Sequence, residues 1–185
     1  MNWNRVALSD VQPSPWRNGG GVTRELLAWP TTQNWLWRMS VAEIERNGPF
    51  SQFEGVQRWF ALLSGAGVRL SVDGQARELT CDCAPFQFDG ATAVQCELIN
   101  GATQDFNLML RRDGTARMQR LAGTHGFLLN SASIVAIYAN SCEVKVDVGR
   151  ESTLLAPQTL GWRTLPAEAI VRVQADDALW MEIAQ

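Results

Sequence analysis

Residues 15–25, with the sequence PWRNGGGVTRE, concentrate side chains that can bind a polar ligand. The three consecutive glycines, Gly19 to Gly21, lack a β-carbon, so their backbone can turn sharply and approach a ligand closely. A glycine-rich hairpin beside a core tryptophan is the structural alternative, and the polar neighbours favour a binding site. The candidate ligand-binding residues of this segment are Trp16, Asn18, Gly20, Thr23 and Glu25.

An alternating segment at residues 35–41 contributes the first of two candidate anion-binding arginines. Successive side chains of a strand point to opposite faces, so Arg38 and Ser40 share one face. The other face carries large apolar residues, namely Trp35, Trp37, Met39 and Val41. Arg38 and Ser40 are therefore expected to point either to solvent or into a polar interior.

The second arginine, Arg58, follows a loop that carries Phe50 and stands at the start of an apolar strand. If Arg38 and Arg58 both point inward, their guanidinium groups can form paired hydrogen bonds with carboxylates. Because a buried cation without a partner is costly, internal acids or a bound anion must balance them. Glu25 and Asp105 are the candidate acids.

Residues 105–111 alternate as a strand that places Asp105, Asn107 and Met109 on one face. An acid and an amide among apolar neighbours are typical of pocket lining, and an exposed sheet face is the alternative. Asp105 and Asn107 therefore join the candidate ligand-binding residues.

The chain offers little for metal or cofactor chemistry. Its single histidine, His125, lies in a loop-like GTHG context, whereas open metal sites usually need several ligands. Cys81 and Cys83 lack a second close pair that would complete a zinc site. The sequence contains no serine-hydrolase elbow, Walker loop or dinucleotide-binding glycine motif. We expect no catalytic metal and no cofactor, while acid–base catalysis by Glu25 or Asp105 stays open.

Charge and composition narrow the partners and the location. Sixteen basic and 19 acidic residues give a net charge of -3 without a basic segment, so we expect neither a nucleic acid nor a membrane partner. The N-terminus lacks the features of an export signal, and no run reaches the roughly 18 apolar residues of a spanning helix. With its four cysteines expected to stay reduced, the chain is predicted to be cytoplasmic.

Short segments rich in β-branched and aromatic residues, separated by glycine, asparagine and aspartate, predict an all-β fold. Residues 23–28 are strand-like as well. The other predicted strands lie at residues 35–44, 59–63, 68–72, 86–88, 93–99, 106–110, 134–138, 144–148 and 169–173.

An internal repeat with an offset of 75 residues suggests the architecture. Residues 59–62 align with 134–137, Gly74 with Gly149, Leu79 with Leu154, 96–98 with 171–173, and 106–108 with 181–183. Two copies of one β unit, each long enough for a small jelly-roll barrel, predict a bicupin, that is, two fused barrels. We place the first barrel at residues 1–112 and the second at residues 113–185, packed as one compact unit.

Five motifs within the first 112 residues resemble the HutD/Ves family of bacterial proteins. They are WRNGGGVTRE at residues 16–25, WRxSxA at 37–42, GxFSxFxG at 48–55 with Arg58, LLxG at 62–65, and DFNxMxR at 105–111. The resemblance implies a bicupin fold in a cytoplasmic bacterial protein associated with histidine utilisation and without an established enzymatic activity. HutD-like members are linked with regulation of histidine catabolism through a pathway intermediate such as formylglutamate or urocanate. Ves-like members are described as stress-induced, and the glycine triplet favours the HutD branch.

The leading hypothesis is a metal-free bicupin that binds a small anionic metabolite and regulates histidine breakdown by sequestering or sensing it. The assigned roles are carboxylate pairing by Arg38 and Arg58, orientation by Asn18, Thr23 and Ser40, walls from Trp16 and Phe50, and recognition of an N–H group by Glu25 or Asp105. One alternative is a metal-independent isomerase or hydrolase that uses Glu25 or Asp105 as its base. The other is an interaction protein whose exposed β edge recruits a partner or forms a homodimer.

Overall fold

The fold is all-β in the computed structural model, which describes residues 2–111 and 113–184. Besides one 3-10 turn at Leu8–Asp10, the described secondary structure consists of strands. They are β1 (Asn4–Ala7), β2 (Ser14–Pro15), β3 (Gly21–Trp29), β4 (Trp37–Ile44), β5 (Gly48–Pro49), β6 (Val56–Ser64), β7 (Val68–Val72), β8 (Gln75–Leu79), β9 (Phe86–Asp89), β10 (Val94–Leu98), β11 (Thr103–Arg111), β12 (Ala116–Leu128), β13 (Ser133–Ala139), β14 (Val144–Val148), β15 (Glu151–Leu155), β16 (Thr159–Leu165) and β17 (Ile170–Ala184). No helix in the described part of the chain is long and apolar enough to cross a membrane.

The chain divides into two compact units, of which the first is Val11–Asp113. Its strands form a six-stranded sheet with the order β2-β3-β4-β11-β6-β9 and a four-stranded sheet with the order β5-β10-β7-β8. The inward-facing apolar residues of both sheets pack against each other, and their burial holds the two sheets together. This core contains Ile44, Phe60, Leu62, Val68, Leu70, Leu79, Phe88, Val94 and Cys96.

The second unit joins Met1–Asp10 to Gly114–Gln185. Its described residues form one sheet with the order β1-β16-β13-β17-β14-β15, in which β12 also pairs with β17. The long β17 pairs with β12 along one edge and with β14 and then β13 along the other. Inside this unit the rings of Phe127 and Trp180 stack with centroids 3.9 Å apart. Apolar side chains therefore fill the interior.

The two units share a strand order, and the strands that correspond are those that the sequence repeat aligns. The order β9-β6-β11 of the first unit corresponds to β16-β13-β17 of the second, and β10-β7-β8 corresponds to β17-β14-β15. The single long β17 thus occupies the positions of both β10 and β11. Gly74 and Gly149, which align in the repeat, both have a positive φ, at 76° and 60°, where glycine is favoured over other residues.

The sequence-based strand prediction differs from the structure in several places, and the strands β1, β2, β5, β8, β15 and β16 were not among those predicted. The strand predicted at residues 169–173 extends to Ala184. The strand β12 was not predicted because it is half-exposed and contains the GTHG motif, so His125 lies in a strand and not in a loop. Trp35 precedes β4 and packs against Met109, so it does not share a face with Trp37 as strand alternation predicted.

The first strand of the chain, β1, pairs with β16 and so belongs to the second unit. Residues 4–7 pair with residues 159–162, so the described N-terminal strand belongs with the second unit. The predicted boundary after residue 112 stays a prediction, and the pairing adds that the second unit takes a strand from the start of the chain. Such a strand was hard to assign from sequence because a four-residue segment carries no period of its own.

Candidate functional site

A cavity of about 660 Å³ opens in the first unit, on the face of the six-stranded sheet that carries the polar side chains. Nine of the eleven predicted ligand-binding residues line it, namely Trp16, Asn18, Thr23, Arg38, Ser40, Phe50, Arg58, Asp105 and Asn107. Gly20 and Glu25 are the two that do not. Whether any of the eleven binds a ligand stays a prediction.

Strand register explains why residues far apart in sequence meet in this cavity. Met109 of β11 faces Arg38 of β4 on one side and Arg58 of β6 on the other. Since neighbouring strands lie about 4.8 Å apart, the two arginine backbones stand roughly 10 Å from each other. Two residues away along β4 and β11, Ser40 faces Asn107 on the same side of the sheet. The alternation inferred for these strands thus places their polar residues together.

Arg58 is the most enclosed cation of the cavity, with 6% of its surface exposed. Its Nη1 donates to the backbone oxygen of Ser51 at 3.0 Å, and its Nη2 donates to Oδ1 of Asn107 at 3.2 Å. The guanidinium also lies 5.4 Å, 5.5 Å and 5.0 Å from the ring centroids of three phenylalanines, Phe50, Phe53 and Phe88. Burial lowers the pKa of Arg58 to about 10, so it remains a cation at neutral pH.

Asp105 is the buried acid of the cavity, with 1% of its surface exposed. Its Oδ2 accepts a hydrogen bond of 2.5 Å from Nδ2 of Asn107, while its Oδ1 has no hydrogen-bond partner among the described residues. Burial raises the pKa of this carboxyl from 3.8 to about 7, and the Asn107 hydrogen bond and the Arg58 charge oppose that rise. Asp105 therefore changes charge near neutral pH.

Arg38 lines the cavity and forms an ion pair with Glu25, which does not line it. Its Nη1 lies 3.6 Å from Oε2 of Glu25, and its guanidinium lies 5.5 Å from the Trp35 ring and 5.7 Å from the Phe53 ring. Burial lowers the pKa of Arg38, and the Glu25 charge opposes this effect. Its buried Nε has no hydrogen-bond partner within residues 2–111 and 113–184. Glu25 is thus placed to balance Arg38 from outside the cavity lining.

The glycine run forms a tight turn that presents the neighbouring side chains. The backbone N–H of Trp16 donates to the carbonyl of Gly21, and Nε1 of the Trp16 indole donates to Oγ1 of Thr23 at 2.7 Å. A β-carbon on Gly21 would lie 2.1 Å from the carbonyl oxygen of Glu43, so no larger residue fits there. The N–H of Gly20 donates to Oδ1 of Asn18 at 3.0 Å, which explains why Gly20 serves the turn and does not line the cavity.

Several lining residues were not predicted from sequence. Arg17, an exposed third cation, lies inside the motif that identified its neighbours Trp16 and Asn18, so the motif itself carried the signal. The ring centroid of Phe53 lies 5.7 Å from the guanidinium of Arg38 and 5.5 Å from that of Arg58, and in the sequence only the GxFSxFxG motif indicated this residue. Within the described residues no group of three or more His, Cys, Asp or Glu side chains is arranged to hold a metal ion. The expectation of a metal-free site stays a prediction.

Comparison with known proteins relates the whole chain to one group of bacterial proteins. The HutD family model matches residues 8–182. An uncharacterised 21.2 kDa protein in the hutC 3′ region of Pseudomonas putida is 41% identical over 150 residues, which cover 79% of this chain and 78% of that protein. Protein Ves of Cronobacter sakazakii is 39% identical over 117 residues, covering 61% of this chain and 65% of that one. The solved structure of HutD from Pseudomonas fluorescens SBW25 is 32% identical and has a TM-score of 0.87, with 100% of this chain and 99% of that chain covered.

More distant structures agree in fold. A cupin 2 conserved barrel domain protein from Leptotrichia buccalis has a TM-score of 0.58 at 7% identity, with 98% of this chain and 96% of that chain covered. An identity this low carries no information about function. The fold is therefore cupin-like and all-β.

Proposed function

The chain belongs to the HutD family, and we propose on this basis that it binds a small carboxylate of histidine catabolism and regulates that pathway without catalysing a reaction. The observation that carries the proposal is a pair of arginines, Arg38 and Arg58, that flank Met109 and line one cavity. Each has a buried Nε without a hydrogen-bond partner in the described chain. Buried donors of this kind favour a guest with anionic oxygens.

Charge balance in the cavity supports an anionic guest. Glu25 is placed to balance Arg38. Arg58 reaches Asp105 only through Asn107, whose Oδ1 accepts from Arg58 and whose Nδ2 donates to Asp105. When Asp105 carries a proton, the positive charge of Arg58 has no buried counter-charge among the described residues, and a carboxylate is the group that fits it best.

The remaining lining residues suit recognition of a small organic acid. The Thr23 hydroxyl accepts from the Trp16 indole, so its own hydrogen is available to donate into the cavity. Ser40 and Asn18 add further polar groups, and Phe50 supplies an apolar wall. We expect formylglutamate or urocanate as the guest, because the family is associated with the histidine-utilisation region. Sequestering or sensing this guest in the cytoplasm would couple its concentration to the rate of histidine breakdown.

We further propose that each unit is one barrel of a bicupin. The shared strand order supports this assignment, as does the likeness to a cupin barrel protein. In this arrangement the first barrel keeps a polar cavity, whereas Phe127 and Trp180 help to fill the interior of the second. A crystal structure in which both sheets close would support the assignment, and an open sheet in either unit would contradict it.

Titration calorimetry tests the binding function directly. Wild-type protein is titrated with formylglutamate, urocanate, glutamate and histidine at pH 6.5, together with Arg58→Met and with Arg46→Ala as an exposed control. Because a hydrogen bond to a charged group contributes about 1.5–3 kcal/mol, Arg58→Met is expected to weaken binding roughly 10- to 150-fold. Arg46→Ala is expected to bind like the wild type. No saturable heat from any of the four compounds with folded wild-type protein would refute the proposal.

One observation favours an enzyme as a second candidate. The buried Asp105 carboxyl, with its pKa raised to about 7, has the acidity expected of a general base and lies in the cavity. Incubation of the four compounds with the protein, followed by NMR, would reveal turnover. An enzyme would lose turnover in a folded Asp105→Asn variant and keep it in Asp82→Asn, which changes an exposed acid of the same unit. Unchanged compounds after prolonged incubation would leave binding as the function.

A further inference from the structure

The hydrogen bonds around Asn107 fix which oxygen of Asp105 can carry a proton. A guanidinium can only donate, so the Asn107 atom that faces Arg58 must be the amide oxygen. The amide nitrogen of Asn107 therefore faces Asp105 and donates to its Oδ2 at 2.5 Å. Because Oδ2 is occupied as an acceptor, a proton on this carboxyl resides on Oδ1.

The Oδ1 atom is the oxygen of Asp105 whose hydrogen-bonding capacity is unused. It is buried and has no hydrogen-bond partner among the described residues, while Asp105 itself lines the cavity. A buried polar atom without a partner is unfavourable unless a guest or solvent supplies one. With a proton, Oδ1 is a donor that fits a carboxylate oxygen. Without one, it is an anionic acceptor that repels a carboxylate.

The charged and titratable groups around Asp105 come from every neighbouring strand. Arg58 faces it from β6, and Arg38 lines the same cavity from β4 with Glu25 of β3 behind it. From β10, burial raises the pKa of the Cys96 thiol to about 12, so this group stays neutral. Burial outweighs the Asn107 hydrogen bond and the Arg58 charge, and it raises the pKa of the Asp105 carboxyl to about 7.

Resting on the proposed carboxylate-binding function, we propose that Asp105 donates a hydrogen bond from a protonated Oδ1 to the bound carboxylate, so that an ionised Asp105 takes up a proton when the anion binds. The proton comes from solvent and stays on Oδ1, and no bond of the guest is broken. Arg58 and Asp105 then hold the carboxylate from two sides, and Asn107 positions both. Asp105 is thus a specificity-determining residue that admits the anion only in its neutral form.

The coupling between protonation of Asp105 and anion binding determines how strongly the apparent Kd depends on pH. If only the neutral form admits the anion, the apparent Kd increases by the inverse of the neutral fraction. With half-titration near pH 7, the apparent Kd rises about 25-fold between pH 6.5 and 8.5. Over the same range the number of protons taken up per bound anion rises from about one quarter to nearly one.

Calorimetry with formylglutamate as the probe tests the inference at pH 6.5, 7.5 and 8.5, in two buffers of different ionisation enthalpy at each pH. Asp105→Asn replaces the neutral carboxyl with an amide that can still donate to the guest, so its Kd is expected to stay constant with pH. The exposed control Asp82→Asn is expected to keep the wild-type pH dependence. Should the Asp105 variant fail to fold, carbon NMR of the wild-type carboxyl groups, with formylglutamate bound at pH 8.5, reports the same protonation.

The outcomes separate the inference from the function on which it rests. Saturable binding with a constant Kd and no proton uptake would overturn the inference and leave carboxylate binding intact. Loss of binding in folded Asp105→Asn at every pH would also overturn it, because the residue would then act as an acceptor. Absence of binding by the wild type at every pH would overturn both.

Discussion

Replacement of Asp105 by asparagine is expected to remove a pH dependence of stability, so that the variant gains stability relative to the wild type as the pH rises. The carboxyl is 1% exposed, and burial raises its pKa from 3.8 to about 7. Between these two values the folded protein binds more protons than the unfolded chain. The free energy of unfolding therefore falls as the pH rises through this window. Asparagine keeps the shape and the acceptor for Asn107 but cannot ionise.

The magnitude follows from the size of the pKa change. A shift of about 3 pKa units corresponds to about 4 kcal/mol at 1.36 kcal/mol per unit. The stabilising contribution is complete below pH 3.8 and is lost once the pH exceeds about 7. The free energy of unfolding of Asp105→Asn minus that of the wild type should thus increase by about 4 kcal/mol between pH 4 and pH 8.

Urea denaturation followed by tryptophan fluorescence at pH 4, 5, 6, 7 and 8 measures this difference. Comparison of variant with wild type at each pH cancels the groups that titrate in both proteins. Asp82→Asn, which changes an exposed acid, should give a difference that does not vary with pH. A flat difference for Asp105→Asn across the same range would refute the argument that burial dominates the energetics of this carboxyl.

Three further predictions concern other parts of the chain. Gly21→Ala should destabilise the protein by about 3 kcal/mol in urea denaturation, because the new β-carbon would lie 2.1 Å from the carbonyl oxygen of Glu43. Gly48→Ala is the control and should destabilise the protein far less, because the atom nearest to its β-carbon would be 3.9 Å away. Trp180→Ala should lower the free energy of unfolding by about 3–5 kcal/mol, because it leaves a cavity in the core. Leu128→Ala, at a residue that is 61% exposed, should change it little, and equal losses for the two variants would contradict the packed interior. Arg17→Ala should slow formylglutamate association and weaken its salt dependence in stopped-flow fluorescence, and an unchanged rate would show that this exposed cation does not steer the anion.

Local sequence patterns predicted the parts of the site that depend on strand alternation. Period-2 patterns placed Arg38 with Ser40, and Asp105 with Asn107, on common faces, because side chains of a strand alternate regardless of what surrounds it. The motifs around Trp16 and Phe50 identified the loops that form the rest of the cavity lining. The same local reasoning failed for Trp35, because a residue just outside a strand is free of its alternation.

Hydrogen-bond partners and charge states could not be predicted from the same patterns. Nothing in the sequence indicates that Asn107 bridges Arg58 and Asp105, since that contact depends on the register of β11 with β6. The sequence named Glu25 as a candidate acid for the two arginines, but the structure was needed to show that it lies beside Arg38 and outside the cavity lining. The requirement for glycine at position 21 depends likewise on the close approach of β4, whose Glu43 carbonyl oxygen would lie 2.1 Å from a β-carbon there.

Sequence patterns alone were sufficient to predict an all-β chain with an internal repeat, a family resemblance and a set of polar residues in the first 112 positions. These features follow from local preferences and from motif spacing, which need no knowledge of distant contacts. The fold was needed to show that the two arginines flank Met109, that Asp105 is buried in the cavity wall, and that apolar side chains fill the interior of the second unit. Burial and strand register arise from contacts between residues far apart along the chain, and these contacts set the charge of Asp105.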